Sequence, residues 1–174
     1  PATKIAFLTQ AMKLAPAFQR ARLALWEVHT EEGEHREALA AVRQVPADSR
    51  QGRQARFRAA ISLLHLGQSQ DAFNAFQQLN VERPDPALLN NLGVIQLRRP
   101  PGSPGGRAIS FFGQAVTADA TDADLFFNLG YAYFLDKDLQ GALYWLREAV
   151  RRNPADDAAH YVLGVALQAS GSSA

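Results

Sequence analysis

The chain of 174 residues contains no cysteine. Disulfides, thiolate metal ligands and a cysteine nucleophile are therefore excluded, while the redox compartment stays open. Neither charge is in surplus: 18 Lys and Arg stand against 17 Asp and Glu, a formal net charge of +1. That balance argues against a general binder of nucleic acid or another polyanion. No apolar run approaches the roughly 18–20 residues that cross a bilayer. The opening PATKIAFLTQAMKLAP lacks the longer apolar segment and small-residue cleavage site of a signal peptide. Signatures of chemistry are also missing, with no HExxH, GxSxG, P-loop or GxGxxG. What remains is 47 % apolar and 20 % charged residues, the composition of a soluble globular protein. Its richness in Ala and Arg points to a bacterial source, with cytoplasm and periplasm both open.

The feature that is present is a period. Ala38, Ala72, Ala108 and Ala142 stand 34, 36 and 34 residues apart. Four residues after each comes Val42, Phe76, Phe112 and Leu146, and one further step of 34 back reaches Leu8. Leu25, Ala59, Leu92, Leu129 and Leu163 keep a similar interval, as do Pro16, Arg50, Pro84, Ala120 and Pro154. A period of this size is the mark of a repeat architecture, in which each unit buries its apolar face on its neighbours.

Within one period, Phe126, Leu129, Gly130, Tyr133, Ala142, Leu146, Ala149 and Pro154 carry a specific pattern. It resembles the tetratricopeptide repeat, a helix-turn-helix of about 34 residues, and the resemblance covers essentially the whole chain. It implies an all-α, right-handed superhelical solenoid of antiparallel helix pairs, about ten helices in one domain of 1–174. Repeats are expected at about 17–51, 52–85, 86–121 and 122–155, with half repeats at 1–16 and 156–174. The two halves predict a piece of a longer protein. They also predict that Ile5, Leu8 and Met12 at one end, and Leu163, Ala166 and Leu167 at the other, face missing neighbours and make a homo-oligomer through the ends.

Physical chemistry supports the pattern separately. Gly130 and Ala142 let two helices approach, and Leu129, Tyr133, Leu146 and Val150 recur at helical spacing to fill the seam. Asp85-Pro86, Asp122 and Asp156 read as helix starts, and Gly33 and Gly67 as helix stops. Two departures stand out. Trp26 takes the place of the small residue in the first full repeat, whose second helix should end early at Val45-Pro46, with looser or shifted packing. Between Gly93 and Ala108 there are fifteen steps instead of twelve. The extra residues lie in RRPPGSPGG, Arg98 to Gly106, a widened turn expected to contribute no helix and little packing.

Candidate chemistry is sparse, and the chain reads as no enzyme, with no cofactor and no metal. His29 and His35 straddle the Gly33 turn near Glu31, Glu32 and Glu34, which suits a solvated turn better than a weak surface metal site. Arg50, Arg53, Arg56 and Arg58 form a basic run with only Phe57 as an aromatic neighbour, too few for a nucleic-acid surface. A solvated or partner-facing edge is expected there. Function should lie in the groove that, by the resemblance, the first helices line. The slots that correspond are Leu23, Glu27 and Thr30, then Phe57, Ile61 and Leu64, then Asn90, Val94 and Leu97, then Phe127, Tyr131 and Phe134, then Tyr161, Val165 and Gln168. Of these Phe57, Ile61, Leu64, Asn90, Val94, Phe127, Tyr131, Phe134 and Tyr161 are the candidate binding residues. They are too apolar for the Lys, Arg and Asn clamp by which one subgroup of the family grips acidic tails. An amphipathic helix or an extended hydrophobic peptide suits them, which makes a protein-interaction scaffold or adaptor. A self-association module, or a regulatory arm of a larger protein, is the alternative.

Overall fold

The computed structural model describes residues 2–15, 18–100 and 102–171. Pro16 of the period and Pro101 of the widened turn lie outside them. Among the described residues the chain forms ten helices and no strand, and it divides into two compact units, Pro1–Glu82 and Arg83–Ala174.

The first unit holds α1 (Ala2–Leu14), α2 (Gln19–Glu31), α3 (His35–Arg43), α4 (Gly52–His65) and α5 (Ser69–Glu82). Each helix packs on the next, and α2 also touches α4. The period is explained by burial: Ala38 and Ala72 have no exposed surface, and Val42 and Phe76 behind them are 2 % and 0 % exposed. As expected, α3 is cut short at Arg43, and Val45 beyond it is buried against Leu23, Val42 and Ala55. The packing around Trp26 is shifted, not loose. Its indole Nε1 donates to Ser62 Oγ at 2.8 Å, and the Arg58 guanidinium lies 4.9 Å above its ring. In α1 no residue is fully buried; Ile5, Leu8 and Met12 are half-buried, while Phe7 and Leu14 are exposed.

The second unit holds α6 (Pro86–Arg98), α7 (Ala108–Ala118), α8 (Ala123–Leu135), α9 (Leu139–Arg152) and α10 (Asp157–Ala169). Again neighbours pair in order, and α8 touches both α6 and α10. Four of the five starts are capped by carboxylates, α7 being the exception: Asp85, Asp122, Asp138 and Asp156 accept from Ala87, Asp124, Gly141 and Ala159 N–H, each satisfying a donor that a helix start leaves open. Close approach explains the small residue of the pattern. A Cβ on Gly130 would lie 2.8 Å from Leu146 Cγ and 2.9 Å from its backbone N, and one on Gly93 would strike the Phe112 ring. Leu163, Ala166 and Leu167 do not face an empty place. They pack with Ala142, Leu143 and Leu146, because the inner stripe of a first helix rests on the helix before it.

The turn between the helices of a pair needs a left-handed residue. Gly33 and Gly67 take it at φ +75° and +74°, and in the α8–α9 turn Lys137 takes it at φ +64°. Glycine enters that region freely, whereas a side chain is strained there.

Candidate functional site

On α4 of the first unit, Phe57, Ile61 and Leu64 are half-buried. Phe57 meets the buried Phe76 edge-on, ring centroids 5.6 Å apart. On α2, Leu23 is core, at 6 % exposure, and Glu27 is held by Arg58 at 2.6 Å. Three arginines of the basic run make bonds within the unit. Arg53 donates to the Leu79 carbonyl at 2.9 Å, Arg56 grips Glu82 at 2.6 and 2.8 Å, and Arg58 donates to the Leu23 carbonyl at 2.7 Å. These guanidiniums tie α4 to α5 and to α2. The Glu82 carboxyl is lowered from its ordinary range chiefly by its hydrogen bond to Arg56. The sequence showed the cations but not their partners, which lie 26 to 35 residues away.

The histidines are also engaged. His29 Nδ1 lies 2.6 Å from Glu34 Oε2 across the Gly33 turn, and His35 stacks on His65 with ring centroids 4.3 Å apart. Among the described residues no three His, Asp or Glu side chains come together as metal ligands.

The corresponding face of the second unit has different chemistry. Along α6, α8 and α10 stand Asn90, Val94 and Leu97, then Phe127, Tyr131 and Phe134, then Tyr161 and Val165. All are half-buried except Tyr161, which is 73 % exposed. The rings of Phe127 and Tyr131 stack, centroids 6.0 Å apart and 5° from parallel. Phe127 and Phe134 also rest on the core beneath. Asn90 Oδ1 accepts from Asn128 Nδ2 at 2.8 Å, a bond that ties α6 to α8.

Away from this face, Glu148 on α9 accepts from Arg151 and Arg152, which together pull its carboxyl down to about 2. Arg152 also lies 3.5 Å above the Phe126 ring and donates to the Ala120 carbonyl. The arginines near this helix end thus bind the preceding turn as well as completing the helix end electrostatically.

The widened turn is attached more firmly than expected. Gln96, nearly buried, donates to the carbonyls of Gly106 at 2.5 Å and Pro104 at 3.3 Å, and its Oε1 accepts from Arg99. Between the turn and the end of α8 lies a cavity of about 410 Å3. Arg98 closes α6 as its last helical residue, so the irregular stretch begins one residue later than the sequence suggests.

Helix pairs packed in register, repeated along the chain, define a helical-repeat protein. The chain belongs to the tetratricopeptide repeat family: two profiles described as tetratricopeptide repeat match residues 5–64 and 123–156, together more than half of it. Solved structures of similar fold include MamA, residues 41 to the end, from Desulfovibrio magneticus RS-1. It is 20 % identical, with 88 % of this chain and 85 % of that one covered and a TM-score of 0.73. YrrB, described as a TPR protein with an unusual peptide-binding site, is 17 % identical over 94 % of this chain and 84 % of its own, TM-score 0.67. A chain of the APC/C hetero-tetramer Cut9–Hcn1 is 21 % identical, covering 95 % of this chain but 33 % of that one, TM-score 0.76. Identities at this level carry the fold alone. No curated protein sequence matches the chain. Among the described residues no helix is long and apolar enough to cross a membrane.

Proposed function

We propose that this protein is a non-catalytic interaction scaffold, and that the face of α6, α8 and α10 binds a protein segment with apolar anchors, an amphipathic helix or extended peptide. Asn90, Val94, Phe127, Tyr131, Phe134 and Tyr161 are the contact residues. The observation that carries this is the exposure of Tyr161 on α10 together with the half-buried stack of Phe127 and Tyr131 on α8. Aromatic residues with a polar tip are frequent energetic anchors. Phe57, Ile61 and Leu64 are left out of the proposal, because Phe57 packs on Phe76 and the neighbouring Arg58 is spent inside the unit. The likeness to a TPR protein described as peptide-binding is in keeping with the reading. The test is selection of a phage-displayed random peptide library on the whole chain, followed by fluorescence anisotropy with the most enriched peptide. Tyr131→Ala with Tyr161→Ala should weaken binding at least about tenfold, the loss of one modest hot spot. An unchanged affinity would place the peptide elsewhere and defeat the reading.

One observation favours self-association as a second reading. Where Gly93 and Gly130 each receive a bulky residue of the following helix, the equivalent Gly164 meets nothing, and Phe7 and Leu14 of α1 are 72 % and 78 % exposed. A mass that rises with concentration in light scattering, and falls for Gly164→Glu, is the expected result; a constant monomer mass defeats it.

A further inference from the structure

Two departures from the repeat meet at one corner of the second unit. One is the longer turn after α6, drawn in by Gln96. The other is Lys137, which occupies the left-handed position that Gly33 and Gly67 hold elsewhere. A lysine there costs about 1–2 kcal/mol in backbone strain relative to a relaxed conformation.

Between these departures is the cavity of about 410 Å3, within the range of small-ligand sites. Leu97, Ile109, Ala132 and Leu135 give it apolar walls, and Arg107 and Asp136 stand at its edge. Leu97 is also a slot of the aromatic face, so the cavity adjoins that face. Arg107 and Asp136 form an ion pair there, with 70 % and 49 % of their side chains exposed. The charged residues that line the cavity are Arg99 and Arg107 against Asp136, two cations and one anion around the apolar walls.

We propose that this cavity is a side pocket for the bound segment, taking a bulky apolar side chain whose neighbouring carboxylate pairs with Arg107 in exchange for Asp136. The proposal rests on the interaction reading for the source of the ligand, whereas the experiment reads the cavity alone. The probe is 4-phenylbutyrate, an aromatic body with a carboxylate, titrated into the 15N-labelled whole chain. The control is 4-phenylbutylamine, of similar size and opposite charge. The acid should shift the amides of Leu97, Ala132 and Leu135 saturably, and the amine should bind more weakly. Arg107→Gln should lower the acid's affinity about two- to fivefold, the worth of one exposed ion pair. Asp136→Asn, which removes the competing carboxylate, should raise it by a similar factor. A purely structural ion pair would give no such rise. Absence of saturable shifts at these amides overturns the proposal, and so does equal binding of the amine or an unchanged affinity in both variants. Should the acid bind here while the peptide selection fails, the pocket stands and the groove reading falls.

Discussion

The two units use the same register positions for opposite purposes. In the first, the face of α2 and α4 is closed by bonds within the unit: Glu27 fills a groove slot and is held by Arg58, which also reaches the Leu23 carbonyl and covers Trp26. In the second, the slot of Glu27 is filled by Val94 on α6 and by Tyr131 on α8, and the position of Arg58 by Asn91 and Asn128. There Asn128 bonds to Asn90 across the face, Phe127, Tyr131 and Phe134 are half-buried, and Tyr161 is exposed. A repeat fold fixes where side chains point, and the residues at those points decide whether a face holds its own helices together or waits for a partner.

The largest test of that contrast is Arg58→Met. It should destabilise the first unit by about 1.5–3 kcal/mol, the range for hydrogen bonds to charged groups, since the bonds from the guanidinium to the Leu23 carbonyl and to Glu27 are lost. Tyr131→Ala should cost the second unit less than about 1 kcal/mol, as a partly exposed residue does. Amide hydrogen exchange reads the units separately, and the reverse order of losses would break the contrast. Next in size is Asn128→Ala, expected to cost about 0.5–1.5 kcal/mol as an ordinary hydrogen bond, with lowered protection in α6 and α8. A loss as large as that of Arg58→Met would show that the second face is bonded as firmly as the first.

Much of this was legible in the sequence, and the remainder was not for identifiable reasons. The spacing of 34, 36 and 34 residues between Ala38, Ala72, Ala108 and Ala142 and the close helix approach at Gly130 follow from local contacts repeated in order, so a period reveals them. The short α3 followed from Val45-Pro46, and the helix starts followed from their Asp residues. The partners of Arg53, Arg56 and Arg58 lie on other helices, and no local pattern names them. The bonds of Gln96 to the widened turn depend on how that turn folds back, which no local pattern gives. The pattern gives the apolar stripe of Leu163 and Leu167 but not which neighbour covers it, and the structure shows that α9 does. The candidate residues were placed by register alone, and register does not tell Tyr161, which is open, from Leu23, which is core.

Smaller effects sharpen the picture. Lys137→Gly should raise thermal stability by about 0.5–1 kcal/mol, the relief of left-handed strain less the freedom that glycine adds to the unfolded chain; no gain in melting temperature would mean that the turn is unstrained. The smallest effect concerns pH. Glu148 is lowered to about 2 from an ordinary 4.5 by Arg151 and Arg152. A depressed carboxyl stabilises the fold above its unfolded pKa and loses that contribution as pH falls through the folded one. The melting difference between the wild type and Glu148→Gln should therefore be constant above about pH 5 and shrink between about pH 4.5 and 2. A difference that did not change with pH would remove the ion pairs from the account.

The most direct measurement is a 15N–1H correlation spectrum of the whole chain, free and saturated with the most enriched phage-selected peptide. The account predicts that the shifted amides cluster on α6, α8 and α10 around Val94, Tyr131 and Tyr161, leaving α2 and α4 unmoved. Shifts centred on Glu27, Phe57 and Ile61, or confined to α7 and α9, would contradict it.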